Sequence, residues 1–183
     1  MRWPAWNPVM TKVLIVPGKG GSGAAHWQTW LEARLPDSLR VDQAEWESPD
    51  VATWARRIHD VASRRQHPPF VIAHSFGCLA TIHAALHLGT RFRGSFLVAP
   101  ADPARFAIDE ASLLRPLPHE ARVFASTNDP WLDTPRCSLL AAAWGADLQV
   151  LGALGHINVD SGFGPWPEML GWAEAALVAV NAP

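Results

Sequence analysis

The sequence predicts an α/β fold of three layers, in which a doubly wound, mostly parallel sheet of six strands lies between helices. Short runs of β-branched and aromatic residues alternate with longer segments of helical periodicity along the chain. The strand candidates are apolar without a polar–apolar alternation, which is typical of strands buried on both faces of a parallel sheet. With 183 residues, the chain is long enough for one domain with a core of its own.

The first half of the chain supplies three strands and three helices. A strand over 12–16 precedes a helix that begins near Trp27 and that Pro36 ends. The second helix is expected to have Ser48 as its N-cap and Pro49 as its first residue. The other elements of this half are a strand at 39–42, a strand at 70–73 and a helix at 76–87.

The second half supplies the remaining strands and two helices. Residues 100–118 are the only long irregular insert that we expect. Thr134 and Pro135 are predicted to cap a helix that runs through Trp144 and that Gly145 ends. The other elements are strands at 95–98, 122–125 and 147–151 and a closing helix at 167–180. No linker interrupts this pattern, so we expect a loose leader at 1–10 and a single domain over 11–183.

Composition excludes several classes of partner. Fifteen Lys and Arg against seventeen Asp and Glu give a net charge of −2, and no basic block is present to bind nucleic acid. Residues 66–90 contain no charged residue other than histidine, but Pro68, Pro69 and Gly77 argue against a membrane span. Two cysteines are too few for a disulfide framework or a zinc site and indicate buried thiols in the reducing cytoplasm.

The motif that most strongly indicates a catalytic residue is Ala-His-Ser-Phe-Gly at 73–77, directly between a predicted strand and a predicted helix. It fits the nucleophile-elbow pattern Gly-x-Ser-x-Gly, with Ala73 in place of the first glycine. A serine on such a sharp turn has a strained backbone, and small neighbours two residues away avoid a collision across it. The following helix directs its first N–H groups, including that of Phe76, towards an oxyanion. We therefore predict that Ser75 is a nucleophile rather than only a helix cap.

An acid and a base are predicted after two later strands. Asp129 follows the fifth strand and His156 follows the sixth, so the chain order is serine, acid, histidine, as in α/β-hydrolase triads. The histidine would take the serine proton as general base, and the aspartate would orient the imidazole and stabilise its cation. Asp133 is an alternative acid, although it lies further from the strand end. His74, inside the elbow motif, is expected to support the turn.

A glycine-rich loop at 18–23 allows two interpretations. Gly-Lys-Gly-Gly-Ser-Gly follows a strand and is expected to open a helix, so it matches the dinucleotide-binding pattern of an oxidoreductase, and Asp42 ends the next strand. In a hydrolase, the same loop would supply an oxyanion donor from the main-chain N–H of Lys19 or its neighbour Gly18. Because a dehydrogenase has no need of serine, acid and histidine in triad order, we favour the hydrolase.

Several further segments resemble a known family. The segments are 16–23, His26–Trp27, Trp46 with Pro49–Asp50 and Trp54, 73–77, Asn128–Pro130, Gly155–Asn158, Ser161–Gly164 and Trp166–Pro167. Over residues 13–172 the chain resembles the small single-domain α/β-hydrolases of the YdeN and retinoblastoma-binding protein 9 type. The resemblance implies a trimmed α/β-hydrolase fold without a large lid, and a serine hydrolase with Ser75 as nucleophile, Asp129 as acid and His156 as base.

Together these features predict a carboxylesterase that acts on small or short-acyl esters through an acyl-enzyme, with no metal or organic cofactor. Because only residues 100–118 could cover the site, an open site that favours short acyl groups is expected. Trp131 and Trp166 lie in the acid and base loops, where one could line the substrate pocket or both could pack beneath the loops. A catalytically weak protein of the same fold that serves as a binding module is the remaining alternative.

Overall fold

A computed structural model describes residues 12–179 of the chain. The predicted leader at 1–10 and the final residue of the predicted closing helix lie outside this range. The strands are β1 (Val13–Val16), β2 (Ser38–Arg40), β3 (Phe70–His74), β4 (Gly94–Val98), β5 (Ala121–Ala125) and β6 (Asp147–Val150). The helices are α1 (Trp27–Glu32), α2 (Val51–Ser63), α3 (Phe76–His87), α4 (Thr134–Trp144) and α5 (Pro167–Ala179).

The six strands form one sheet in the order β2-β1-β3-β4-β5-β6, and every neighbouring pair is parallel. From β1 the chain moves first to β2 at one edge and then back across β1 to β3 and the other edge. The strand order therefore changes direction between β1 and β3. In open parallel sheets, ligands bind beyond the carboxyl ends of the strands at such a point. The glycine-rich loop follows β1 and Ser75 follows β3, so both lie at this position.

Apolar side chains cover both faces of the sheet, as the predicted doubly wound fold requires. Successive residues of a strand point to opposite faces, so Leu14 packs on one side and Ile15 on the other, and both are fully buried. The Leu14 side carries the buried faces of α2, α3 and α4, and the Ile15 side carries α1 and α5. This confirms the three-layer architecture.

Two predicted helix starts were wrong by one or two residues. The α2 helix begins at Val51, and its N-cap is Asp50, whose Oδ1 accepts a hydrogen bond of 2.7 Å from the Thr53 N–H. The α4 helix begins at Thr134, and its N-cap is Asp133, whose Oδ1 accepts from Arg136 N–H. In both places an aspartate carboxylate one or two residues from the expected cap satisfies a free helical N–H.

Ion pairs and a hydrogen bond attach the insert at 100–118 to α4. It contains two short 3₁₀ helices, Pro103–Phe106 and Glu110–Ser112. Arg136 on α4 forms ion pairs with Asp102, at 3.3 Å, and with Glu110. The indole N–H of Trp144 donates to the Leu113 carbonyl oxygen at 3.1 Å. The insert is therefore a fixed wall beside the carboxyl ends of the strands.

Within residues 12–179, no helix combines the length and the apolar character that crossing a bilayer requires.

Candidate active site

Ser75 lies on a strained turn between β3 and α3. Its backbone has φ 53° and ψ −123°, a conformation that non-glycine residues rarely adopt. A Cβ atom on Gly77 would lie 2.4 Å from the Pro17 carbonyl oxygen, and one on Gly18 would lie 2.8 Å from the Ser75 Cβ. The end of β1 and the elbow therefore pack too closely for larger residues. Ala73, which replaces the first glycine of the pattern, is fully buried in β3.

The structure brings the three residues proposed as nucleophile, base and acid into one chain of hydrogen bonds. His156 Nε2 lies 2.8 Å from Ser75 Oγ, and His156 Nδ1 lies 2.9 and 3.0 Å from the two carboxylate oxygens of Asp129. A carboxylate only accepts hydrogen bonds, so Nδ1 carries the proton and Nε2 is left with a lone pair facing the hydroxyl. Asp129 and His156 are buried, whereas Ser75 is partly exposed. This arrangement can draw a proton from a serine that a small molecule can reach.

Hydrogen bonds connect the loop that carries Asp129 to the loop that carries His156. The side-chain oxygen of Asn128 accepts from the Gly155 N–H at 2.7 Å and from Ser126 Oγ at 2.9 Å. Ser126 Oγ in turn accepts from the Leu154 N–H at 2.9 Å. These contacts fix the distance between the two loops and hence between carboxylate and imidazole. The sequence contains Asn128 within the family segments, but no spacing rule assigns it this role.

The base loop is also closed on itself. Ser161 Oγ accepts from the His156 N–H at 2.9 Å and donates to Asn158 Oδ1 at 2.8 Å. Gly155 has φ +58°, and a Cβ atom there would lie 2.4 Å from Ser161 Oγ. Gly155, Asn158 and Ser161 thus fix the main chain that carries the His156 imidazole. All three lie in the segments that carry the family resemblance, but the sequence alone does not show these contacts.

Gln28 is a buried polar residue beside the site for which the sequence gives no signal. Its side chain is fully buried, and its Nε2 donates to the carbonyl oxygens of Val16 at 3.2 Å and Ile72 at 3.1 Å. Its Oε1 accepts from Ser22 Oγ at 2.6 Å. One amide thus joins the carboxyl ends of β1 and β3 to the glycine-rich loop. A single glutamine on a helix gives no such signal, because its partners lie far away in the chain.

The main-chain N–H groups near Ser75 fit the predicted oxyanion donors. Within residues 12–179, the Gly20 N–H is bonded to the Trp46 carbonyl oxygen and the Gly21 N–H to that of Gly18, both at 3.0 Å, while the Lys19 N–H makes no such bond. Phe76 is the first residue of α3, so its N–H lies at the positive end of the helix dipole. Lys19 and Phe76 thus offer donors from the two loops that meet at Ser75.

Two further histidines, His74 and His26, lie next to His156 in the candidate site. His74 Nε2 lies 3.0 Å from the His156 carbonyl oxygen, and because a carbonyl only accepts, this nitrogen carries the proton. Burial lowers the pKa of His74 well below its usual value, as do the neighbouring His156 and His26, so the ring is neutral. His26 caps α1 by accepting the Gln28 N–H, and burial, aided by the charges of Arg40 and His156, lowers its pKa to about 4. The predicted role of His74 as support for the turn stays a prediction.

We expect His74→Leu to lower kcat about 10- to 100-fold, because it removes the hydrogen bond to the main-chain carbonyl of His156, the predicted base, and so allows the imidazole to shift. His74→Gln keeps an amide donor and should recover part of the loss. The measurement is kcat, KM and the pH profile of ester hydrolysis, with exposed His67→Leu as the matched control. Equal losses in both His74 variants would contradict this explanation, since a donor at position 74 would then make no difference to kcat.

An open cleft of about 950 Å³ leads to these residues. Ser75 and His156 lie in its wall together with Lys19, Arg105 and Trp131. The Trp131 ring is 51% exposed, and its centre lies 6.3 Å from that of His156. Trp166 is 5% exposed and packs against Trp27 and Phe124 in the core, away from this cleft. Of the two tryptophans considered as pocket residues, only Trp131 lies where a substrate could reach it.

Comparison with known proteins decides the family. Residues 13–173 match the sequence profile of the family described as serine hydrolase. The chain belongs to this family. The match confirms the resemblance to small serine hydrolases that the sequence motifs indicate. Among curated proteins, no sequence matches the chain.

Solved structures agree with this serine hydrolase assignment. A YdeN-like hydrolase from Pectobacterium atrosepticum is 37% identical, with a TM-score of 0.86, over 92% of this chain and 91% of that chain. The ydeN gene product of B. subtilis is 23% identical, with a TM-score of 0.76, over 91% of this chain and 98% of that chain. Est1E from Butyrivibrio proteoclasticus, solved with ferulic acid, is 12% identical, with a TM-score of 0.66, over 95% and 88%. The last two show the shared fold.

The dinucleotide interpretation of the glycine-rich loop lacks its structural context in this serine hydrolase. The loop at 18–23 does not open a helix directly, because three residues separate it from α1, whose N-cap is His26. Gly18 instead packs against Ser75, at the place where a dinucleotide fold would put a pyrophosphate. The expectation that the loop leads straight into a helix was wrong, since the chain first makes a turn at 24–26.

The remaining alternative residues have structural roles. Asp133, the alternative acid, caps α4. Within residues 12–179, no three His, Cys, Asp or Glu side chains are grouped as a metal site would require. Cys78 and Cys137 are buried and unpaired, and burial raises the pKa of the Cys78 thiol well above its usual value and that of Cys137 to about 12. Neither thiol is activated as a nucleophile.

Proposed function

We propose that this member of the serine hydrolase family is a carboxylesterase that acts on small or short-acyl esters through an acyl-enzyme on Ser75. The observation that carries the proposal is the continuous hydrogen-bond chain from Ser75 through His156 to Asp129 at the wall of an open cleft. A serine aligned with a base that a buried acid orients is the arrangement required for nucleophilic acyl transfer.

In the first half-reaction, Ser75 Oγ attacks the ester carbonyl carbon while His156 Nε2 takes the hydroxyl proton. The resulting imidazolium is stabilised by Asp129, which accepts the hydrogen bond from Nδ1. The tetrahedral intermediate collapses when the C–O bond to the alcohol breaks, and His156 returns its proton to the departing oxygen. In the second half-reaction, His156 removes a proton from water, which attacks the acyl carbon and restores Ser75.

The negative charge on the tetrahedral intermediate requires fixed donors. We assign this role to the main-chain N–H of Phe76 and to that of Lys19, with Gly18 allowing the loop to lie close to the nucleophile. Donors from a helix N-terminus and a rigid loop need no reorganisation as charge develops, so each is worth about 10²–10³-fold in kcat. The glycine at position 18 supports this proposal, because a Cβ atom there would collide with Ser75.

The proposal is tested by intact-protein mass spectrometry after treatment with a fluorophosphonate. Wild type is expected to gain one adduct, because the activated Ser75 displaces fluoride from phosphorus, and Ser75→Ala is expected to gain none. Release of short-chain alcohols or acids from a panel of esters would then define the acyl preference. A folded wild-type protein that stays unlabelled and hydrolyses no ester would contradict the proposal and favour a binding protein of the same fold.

Trp131 is proposed to line the part of the cleft that receives the substrate. We expect Trp131→Ala to change the ratio of kcat/KM between short and long acyl esters by a few fold, since it removes an apolar surface beside His156. Its effect on the free energy of unfolding should be small, because half of the ring is exposed. Trp166→Ala is the comparison, as it should destabilise the core by about 3–5 kcal/mol. Unchanged relative rates in Trp131→Ala would exclude the pocket role.

A further inference from the structure

Arg105 is an exposed residue beside the candidate active site, and its guanidinium makes two contacts with neighbouring residues. It is the third residue of the 3₁₀ helix Pro103–Phe106, in the wall of the cleft that contains Ser75. Its guanidinium carbon lies 5.0 Å from the centre of the Trp131 ring, and its Nη2 donates to the Pro130 carbonyl oxygen at 3.3 Å. The Trp131 ring adjoins His156. Two consecutive contacts therefore connect this cation to the base.

The charge of Arg105 is not neutralised by the protein. Asp102 and Glu110, the acids nearest to it on the same insert that make ion pairs, are both engaged by Arg136. Among the described residues, no carboxylate oxygen lies within 4.0 Å of the Arg105 guanidinium. An arginine that stacks on an aromatic ring with its charge unpaired is ready to bind an anion.

Most of the other charged side chains of the cleft lie on segments other than the insert. Lys19, on the glycine-rich loop, adds a second positive charge. Glu47 and Asp160 are negative and exposed, and Glu47 lies next to Gly20, where its Oε1 would be 3.8 Å from a Cβ atom. Glu47 thus belongs to the β2–α2 connection and Asp160 to the loop that carries His156. Asp102 lies in the same wall as Arg105, but its carboxylate is paired with Arg136 at 3.3 Å. Arg105 is therefore the group of this wall whose charge is available to an anionic part of a substrate.

We propose that Arg105 binds a carboxylate on the substrate, so that the enzyme prefers esters carrying a second acidic group, such as monoesters of aliphatic dicarboxylic acids. The inference rests on the proposed esterase function and names its substrate class. The planar guanidinium offers paired N–H donors that match a carboxylate, and its stacking on Trp131 fixes their direction. A short aliphatic spacer would lie along the exposed Trp131 ring while the ester carbonyl reaches Ser75.

The test compares two methyl esters of equal length that differ in charge, monomethyl adipate and methyl adipamate, by methanol release. Wild type is expected to show about tenfold higher kcat/KM for the anionic ester, as one charge-assisted contact in a partly exposed site provides. The ratio should approach one in Arg105→Gln. Arg105→Glu should invert it and favour cationic methyl 6-aminohexanoate over the neutral ester. Rising ionic strength should reduce the wild-type preference, because salt screens exposed charges.

The ratio separates substrate binding from damage to the site, because loss of the contact with the Pro130 carbonyl would lower all rates alike. Arg91→Glu is the matched control for Arg105→Glu, since it makes the same charge change on an exposed side chain shortly before β4. It lies at the amino ends of the strands, away from the cleft, and should leave the ratio unchanged. A wild-type enzyme that hydrolyses both esters equally, or a preference that survives Arg105→Gln, would overturn the inference alone. Absence of both hydrolysis and Ser75 labelling would overturn the proposed function with it.

Discussion

Replacing Ser75 with alanine is expected to lower kcat for a short-acyl ester by roughly 10⁴–10⁶-fold, and His156→Ala should lower it by a similar factor. The double variant should lose little more than either single variant, because the hydroxyl and the imidazole act through one 2.8 Å hydrogen bond. Without the base, the serine is a weak nucleophile, and without the serine, the base has no proton to accept. Steady-state kinetics of the three variants measures this non-additivity.

Asp129, in the loop after β5, and Asp133, the N-cap of α4, provide a matched pair of variants. Asp129→Asn should lower kcat by about 10⁴-fold, since an amide no longer holds the imidazole in the required tautomer. Asp133→Asn should leave activity and stability nearly unchanged, because asparagine caps α4 as well as aspartate does. Losses that add up between Ser75 and His156, or equal losses in the two asparagine variants, would contradict the assignment of nucleophile, base and acid.

Much of the fold could be predicted because its causes are local. Apolar strands such as β3 and the alternation with helices dictate a parallel sheet, and the small residues around Ser75 mark a turn at which a strand leads directly into a helix. Helix starts were predicted less well, because Ser48 and Asp50 are both good N-cap residues and the sequence pattern alone does not choose between them. The carboxylate at position 50 prevailed because the Thr53 N–H lies within its reach.

The rest of the site depends on contacts between distant parts of the chain, and therefore lay beyond the sequence. Gln28 bonds Val16 and Ile72, and His74 bonds the carbonyl of His156, across separations that no local pattern encodes. The different environments of Trp131 and Trp166 also arise only from packing. Each tryptophan directly follows a proline in a loop region, yet the Trp131 ring lies in the cleft and the Trp166 ring lies in the core.

Replacing Gly77 with alanine is expected to reduce both activity and stability, because no space exists for a methyl group. The added Cβ would lie 2.4 Å from the Pro17 carbonyl oxygen and 2.6 Å from that of Val16, and main-chain atoms cannot move aside as a flexible side chain does. We expect a loss of about 1–3 kcal/mol in the free energy of unfolding, as overpacking causes. A shift of about 1 Å between the elbow and the glycine-rich loop would lower kcat about 10²-fold.

Gly171→Ala is the control for Gly77→Ala, since both glycines lie in helices but a Cβ atom at position 171 would have no neighbour within 4 Å. Alanine there should raise the free energy of unfolding by about 0.5–1 kcal/mol and leave kcat unchanged. Urea denaturation and ester kinetics on the two variants separate a general effect of alanine from the effect of this contact. If Gly77→Ala kept full stability and full kcat, the close approach of β1 to the elbow would not be what holds Ser75 in its strained conformation. If stability fell while kcat per folded molecule was retained, the contact would support the fold without setting the distance between the nucleophile and the donors of the glycine-rich loop.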